Sequence, residues 1–183
     1  MSRALVIVDV QNDFCEGGSL PVTGGAAVAA AISAMLAAST YNVVVATRDY
    51  HRDPGSHFSG NPDYVESWPP HCRIGTVGAE FHPAFDTQRV DEVFSKGEHT
   101  AAYSGFEGHS PGGESLVDWL KSRGVVSVEV VGIATDHCVR ATAVDAAHNG
   151  FDTAVLLDLT AGVAHETVER AKAEMIAAGV TLR

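Results

Sequence analysis

Short apolar runs alternate along this chain with segments of helical period, and that alternation admits few architectures. Residues 4–10, 42–47, 90–95, 126–133 and 153–158 read as buried strands. Residues 25–38, 113–123, 136–149 and 166–178 read as helices. Their inward positions are Val28, Ile32, Met35 and Leu36, then Leu116, Val117 and Leu120, and finally Val168, Ala171, Met175 and Ile176. Gly150 and Gly179 stand as C′ residues, and residues 180–182 add a short sixth strand. The pattern predicts an α/β chain: three α/β/α layers around an open, mostly parallel, Rossmann-like sheet of five to six strands. The 183 residues fit one domain, 1–183. Ligands in such sheets bind beyond the carboxyl ends of the strands.

One such end carries the most informative residue. Cys138 follows the run Val130-Val131-Gly132-Ile133 and lies in the first turn of the next helix. Free backbone N–H groups and the positive end of a helix dipole lower a thiol pKa there, and the same N–H groups can hold an oxyanion. A lone cysteine is more often a small core residue, so the position alone does not settle the matter. Two other strand ends strengthen it. Asp9 closes the first strand, where a carboxylate is costly to bury without purpose. Lys96 follows the third strand. An ammonium favours the thiolate, and a carboxylate can take the thiol proton and later pass it to a departing amine. Cys138, Lys96 and Asp9 therefore form a candidate acyl-transfer triad.

Residues 48–79 show almost no periodicity, and a loop of that length inside a compact domain is usually functional. Asp49 and His51 are spaced i, i+2, so an extended chain points them the same way. His57 follows after five residues and His71 after thirteen more. One carboxylate and three imidazoles suit one divalent transition metal ion: Fe²⁺, Mn²⁺ or Zn²⁺. Cys72 neighbours His71, but four ligands already suffice. His82, His99, His109, His148 and His165 read as surface or cap residues. Phe14, Trp68 and Tyr103 are the aromatics placed to line a pocket.

Composition excludes other classes. The net charge of −11 and pI near 5.1 leave no basic patch for nucleic acid. No window is apolar enough to span a bilayer. The three cysteines form no disulfide framework, which predicts a reduced, cytoplasmic protein. The glycines match neither G-x-G-x-x-G after a strand nor G-x-x-x-x-G-K-[ST].

The stretches VDVQNDFCEGGSL, VVATRDYHRDPGSHFSG, SWPPHC, FSKG, AYSGFEG, VVGIATDHCVRATAVDA and LLDLTAGV span nearly the whole chain. Together they resemble the nicotinamidase/pyrazinamidase family of isochorismatase-like cysteine hydrolases, its mycobacterial and actinobacterial members above all. The resemblance implies an isochorismatase-like hydrolase fold and cleavage of nicotinamide, and of pyrazinamide, through a cysteine thioester. It implies Cys138 as nucleophile, Asp9 as general acid/base and Lys96 as the cation beside the thiolate. It implies Asp49, His51, His57 and His71 as metal ligands, and the backbone N–H groups of Ala134 and Cys138 as oxyanion hole. It also implies a cis Ile133–Ala134 peptide. Phe14, Trp68, Tyr103, Ile133, Ala134 and His137 would contact the small-molecule substrate. Family members occur as monomers and as homo-oligomers. The alternatives are a carbamoyl or ureido amidohydrolase of the same superfamily, a metallohydrolase whose nucleophile is metal-bound water, or a non-catalytic binding module.

Overall fold

A computed structural model describes residues 2–183. Six strands form one sheet: β1 (Ser2–Val8), β2 (Val43–Asp49), β3 (Glu92–Lys96), β4 (Val125–Ile133), β5 (Asp152–Ala161) and β6 (Thr181–Leu182). Their spatial order is β3-β2-β1-β4-β5-β6, and every pairing is parallel. The sheet is thus wholly rather than mostly parallel.

Period-2 alternation divides the strands between two cores. Ala4, Val6, Val8, Val43, Val45, Val128 and Val130 face one side, where α2 (Leu116–Ser122), α3 (Arg140–His148) and Met175 of α4 (His165–Ala177) pack. Leu5, Ile7, Val44, Ala46, Val131 and Ile133 face the other, covered by Val28, Ala29, Ile32 and Leu36 of α1 (Gly25–Ala38). Phe94 and Trp119 meet edge to face, with centroids 5.8 Å apart, in the first core.

Several boundaries differ from the sequence reading, each for a local reason. The first strand ends at Val8, because Asp9 takes φ +49° and turns out of the ladder. The second runs on to Asp49, because Asp49 still pairs with Lys96. α2 starts at Leu116, where Ser115 Oγ accepts from Asp118 N–H as N-cap. Ile176, expected inward, is 61 % exposed; the inner face of α4 is carried by Ala171 and Met175.

The carboxyl edge of the sheet is drawn tight at Gly132. A Cβ there would lie 2.1 Å from the Val8 carbonyl oxygen, and φ is +116°. Only glycine lets β4 approach β1 so closely. That approach sets Asp9 beside the turn that follows β4. No helix among the described residues is long and apolar enough to cross a membrane.

Candidate active site and metal centre

Four strand ends deliver the charged side chains to one place. Lys96, the last residue of β3, is 3 % exposed. Its Nζ donates to Asp9 Oδ2 at 2.8 Å, donates to Asp49 Oδ1, and lies 3.7 Å from Cys138 Sγ. Asp9 Oδ1 accepts from the Thr47 hydroxyl at 2.7 Å. One ammonium thus joins the end of β1, the end of β2 and the turn after β4. Asp9, Asp49 and Cys138 offer atoms within 4.8 Å of one another, but the Lys96 ammonium supplies the positive charge in that cluster.

Burial dominates the electrostatics. It pushes the Asp9 carboxyl up, and Lys96 offsets this only in part. Burial also opposes ionisation of Asp49, yet Lys96 holds that carboxyl well below the usual range. Burial works against the Lys96 charge too, but Asp49 and Asp9 hold it well above an ordinary lysine. For Cys138 burial raises the thiol well above its usual value, with Lys96 opposing and Asp9 adding to the rise. A thiol in the first turn of a helix is expected to have a depressed pKa. The direction is the reverse, because the sulfur is buried beside two carboxylates. Burial thus favours the neutral thiol over the thiolate before attack.

Cys138 lies in a wide π-type turn, Thr135–Val139, that runs into α3, so the regular helix starts later than expected. The Ile133–Ala134 peptide is cis. The Ala134 carbonyl accepts from His137 and Val139 N–H.

Residues 48–79 are ordered by short 3₁₀ turns at Gly55–His57 and Val77–Ala79 and by bridges His51–Arg73 and Phe58–Trp68. These bring His51, His57 and His71 together, each at most 4 % exposed, with ligand atoms within 4.8 Å of one another. Asp49 Oδ2 lies 3.5 Å from His51 Nε2 and 3.6 Å from His71 Nε2. His51 Nδ1 donates to Gly97 O at 2.5 Å and His71 Nδ1 to Pro69 O at 2.8 Å. Carbonyls only accept, so each Nε2 keeps its lone pair for a ligand. His51 Nε2 and His57 Nδ1 are buried without a hydrogen-bond partner. Orphaned nitrogens in so dry a place are costly, and a divalent cation satisfies them. The donor set therefore fits a divalent metal ion. Cys72 stays outside it: its Sγ packs 3.9 Å from Gly78 O.

The thiol and the imidazole cage open on one cavity of about 530 Å³. Phe14, Trp68, Tyr103, Ile133, Ala134 and His137 all line it. Trp68 is 6 % exposed; its Nε1 donates to Tyr103 Oη at 3.0 Å, and its ring meets His137 edge-on at 5.1 Å.

Three supporting residues escaped the sequence reading. Thr47 fixes Asp9. Gln11 takes Asp49 N–H at 2.9 Å and donates to the Asp49 and Ala79 carbonyls, fastening the metal loop to β1. Asp136 ties the turn that carries Cys138 to the cavity wall. For Gln11 the signal was a polar side chain closing an apolar strand, as for Asp9. Thr47 and Asp136 had none.

Comparison with known proteins gives the chain its family. Residues 3–183 match the isochorismatase domain, and the chain belongs to that family. It is 64 % identical over 181 residues to the nicotinamidase/pyrazinamidase of Mycobacterium tuberculosis, covering 98 % of this chain and 97 % of that one. Among solved structures, a L. infantum protein in complex with nicotinate superimposes with TM-score 0.87 at 39 % identity, covering 100 % of this chain and 92 % of the other. The pyrazinamidase of Pyrococcus horikoshii, solved in complex with zinc, gives TM-score 0.82 at 35 % identity, covering 100 % and 99 %.

Proposed function

We propose that residues 1–183 form one catalytic unit that hydrolyses nicotinamide to nicotinic acid and ammonia, and pyrazinamide to pyrazinoic acid. The observation that carries this reading is the single Lys96 ammonium set against Asp9, Asp49 and Cys138, at the floor of a cavity shared with the imidazole cage.

The aromatic ring enters between Phe14 and Trp68, with Tyr103, Ile133, Ala134 and His137 around it. Asp9 takes the Cys138 proton as the sulfur attacks the carboxamide carbon, and Lys96 stabilises the thiolate as it forms. This transfer uses both upward shifts: the thiol gives up its proton only on attack, to a carboxylate able to hold one. The backbone N–H groups of Ala134 and Cys138 hold the tetrahedral oxygen. Asp9 then returns the proton to the leaving ammonia. A water attacks the thioester with Asp9 again as base, releasing the acid and the thiol. Asp49, His51, His57 and His71 would hold one Fe²⁺, Mn²⁺ or Zn²⁺, which would supply a Lewis acid at that end of the cavity.

A ring nitrogen gives the metal cage a use that a carbamoyl or ureido substrate does not. A water-nucleophile metallohydrolase would leave unexplained a thiol in contact with both an acid and a cation.

Ammonia release from nicotinamide and pyrazinamide, with and without chelator, tests the proposal. Wild-type protein should release ammonia, and chelation should lower the rate. Cys138→Ala should release none while keeping its melting temperature. Full activity in that variant, or none on either amide in the wild type, would defeat the reading.

A further inference from the structure

Asp136 is 5 % exposed and stands two residues before Cys138. It touches none of the reacting groups. Its carboxylate instead crosses to the loop between β5 and α4. Oδ1 accepts from Val163 N–H at 3.0 Å; Oδ2 accepts from Ala164 N–H at 3.3 Å and from the Thr167 hydroxyl. Next to it, Thr135 Oγ1 donates to Thr160 Oγ1 at 2.8 Å. Val163, Ala164 and Thr167 all line the cavity that holds Cys138 and His137.

The first N–H groups of a helix need acceptors, and a Ser, Thr, Asp or Asn at the N-cap position ordinarily supplies one locally. α4 has Ala164 at that position, with no side-chain cap of its own. Asp136 does not fill that role: it accepts from the N–H groups of Val163 and Ala164, just ahead of α4, and from the Thr167 hydroxyl. These bonds hold the entry to α4 against the turn that carries Cys138. Strand order gives this its place in the site. The metal loop follows β2 and the Val163 wall follows β5, on opposite sides of the turn after β4.

We propose that Asp136 is a positioning residue, whose carboxylate clamps the wall Val163–Thr167 to the turn carrying Cys138 and so fixes the width of the cavity at the nucleophile. This rests on Cys138 being the nucleophile of the proposed reaction. In Asp136→Asn the amide group points a donor at groups that are themselves donors, so one leg of the clamp is lost. A displacement of about 1 Å at a reacting atom costs on the order of 10²-fold in rate.

The test separates positioning from mere helix capping. Asp136→Asn is made alone and with Ala164→Ser, which supplies a local cap. Melting temperature, kcat and KM for nicotinamide, and the rate of Cys138 alkylation by iodoacetamide are measured for each. The single variant should lose about 10²-fold in kcat/KM and react more slowly with iodoacetamide. The double variant should regain melting temperature but neither rate. Recovery of both rates by the local cap would overturn the proposal, as would normal rates in the single variant. Thr167→Val, which loses only the hydroxyl, decides the matter if neither folds. It should raise KM several-fold with little change in kcat, and an unchanged KM would overturn the clamp. Alkylation does not depend on which amide is the substrate. A wild type inert toward nicotinamide would therefore sink the proposed activity, while the alkylation rates still judged the clamp.

Discussion

Lys96 Nζ and the Asp9 carboxylate meet at 2.8 Å, and both side chains are 0 % exposed. A buried pair of this kind contributes little net stability beyond an apolar substitute, but removing one partner strands the other. Here the cost falls on two carboxylates, since Lys96 also serves Asp49.

Lys96→Met should therefore destabilise the protein by about 3–5 kcal/mol in urea unfolding. Asp9 can relieve part of that by keeping a proton, which removes the base and should lower kcat/KM by about 10²–10⁴. The sign of the pH effect follows from the same contact. Burial raises the Asp9 carboxyl and Lys96 opposes the rise, so without Lys96 the acid limb of the kcat/KM profile should move to higher pH. That limb belongs to the Asp9–Cys138 pair rather than to either group alone. An acid limb that stays in place would show that Lys96 does not tune the pair.

Gly97→Ala should empty the metal site without changing a ligand. Gly97 has φ +78°, and a Cβ there would lie 2.6 Å from His51 Cε1 and 2.8 Å from His51 Nδ1. The methyl group pushes the imidazole off the Gly97 carbonyl that fixes its tautomer. Lost outer contacts of this kind cost about 10–100-fold in metal affinity. Metal content after dialysis against a graded chelator series reads this directly. Wild-type retention in the variant would mean that His51 is not held by this contact.

The difference between what was legible and what was not follows from how each residue acts. The strands and helices were legible because burial on two faces requires unbroken apolar runs in β1, β2 and β4. Asp9, Lys96 and Cys138 were legible because each lies at or just past the carboxyl end of an apolar strand. The four loop residues were legible as a set because a long aperiodic segment needs something to order it. Residues acting through geometry rather than type were not legible. Thr47 and Asp136 look like any strand threonine or helix-start aspartate until the fold brings partners to them from 38 and 27 residues away. The thiol pKa was misjudged because helix position is readable in sequence and desolvation is not. Ile176 was misplaced because its helical spacing fits the apolar stripe by one residue too many.

His57 sets a pH dependence for the metal-free protein. Burial first, then the nearby imidazoles of His71 and His51, push it down from its ordinary 6.5 to about 4. An unfolded chain binds that proton near 6.5, the folded one only near 4. Between those values the unfolded state holds more protons, so stability falls as pH is lowered through the window. The melting temperature of chelator-treated protein should drop from pH 6.5 toward pH 4, and His57→Asn should flatten part of the drop. Identical slopes for the two proteins would remove His57 from the account.

Trp68 and Tyr103 carry the last prediction. Trp68 comes from the metal loop and Tyr103 from the segment after β3, and the bond between Nε1 and Oη is 3.0 Å. That bond joins two walls of the cavity and holds the indole plane where a substrate ring would lie. Tyr103→Phe keeps the ring and removes only the acceptor, leaving a buried indole N–H unpaired. A lost hydrogen bond of this sort is worth about 1 kcal/mol, or roughly fivefold in an equilibrium constant. Trp68 touches the ring rather than the reacting carbon, so the loss should appear in KM while kcat changes little. Steady-state kinetics on nicotinamide, with tryptophan fluorescence to report the indole's surroundings, check both parts. A kcat that falls with KM unchanged would place Tyr103 nearer the chemistry than this geometry does.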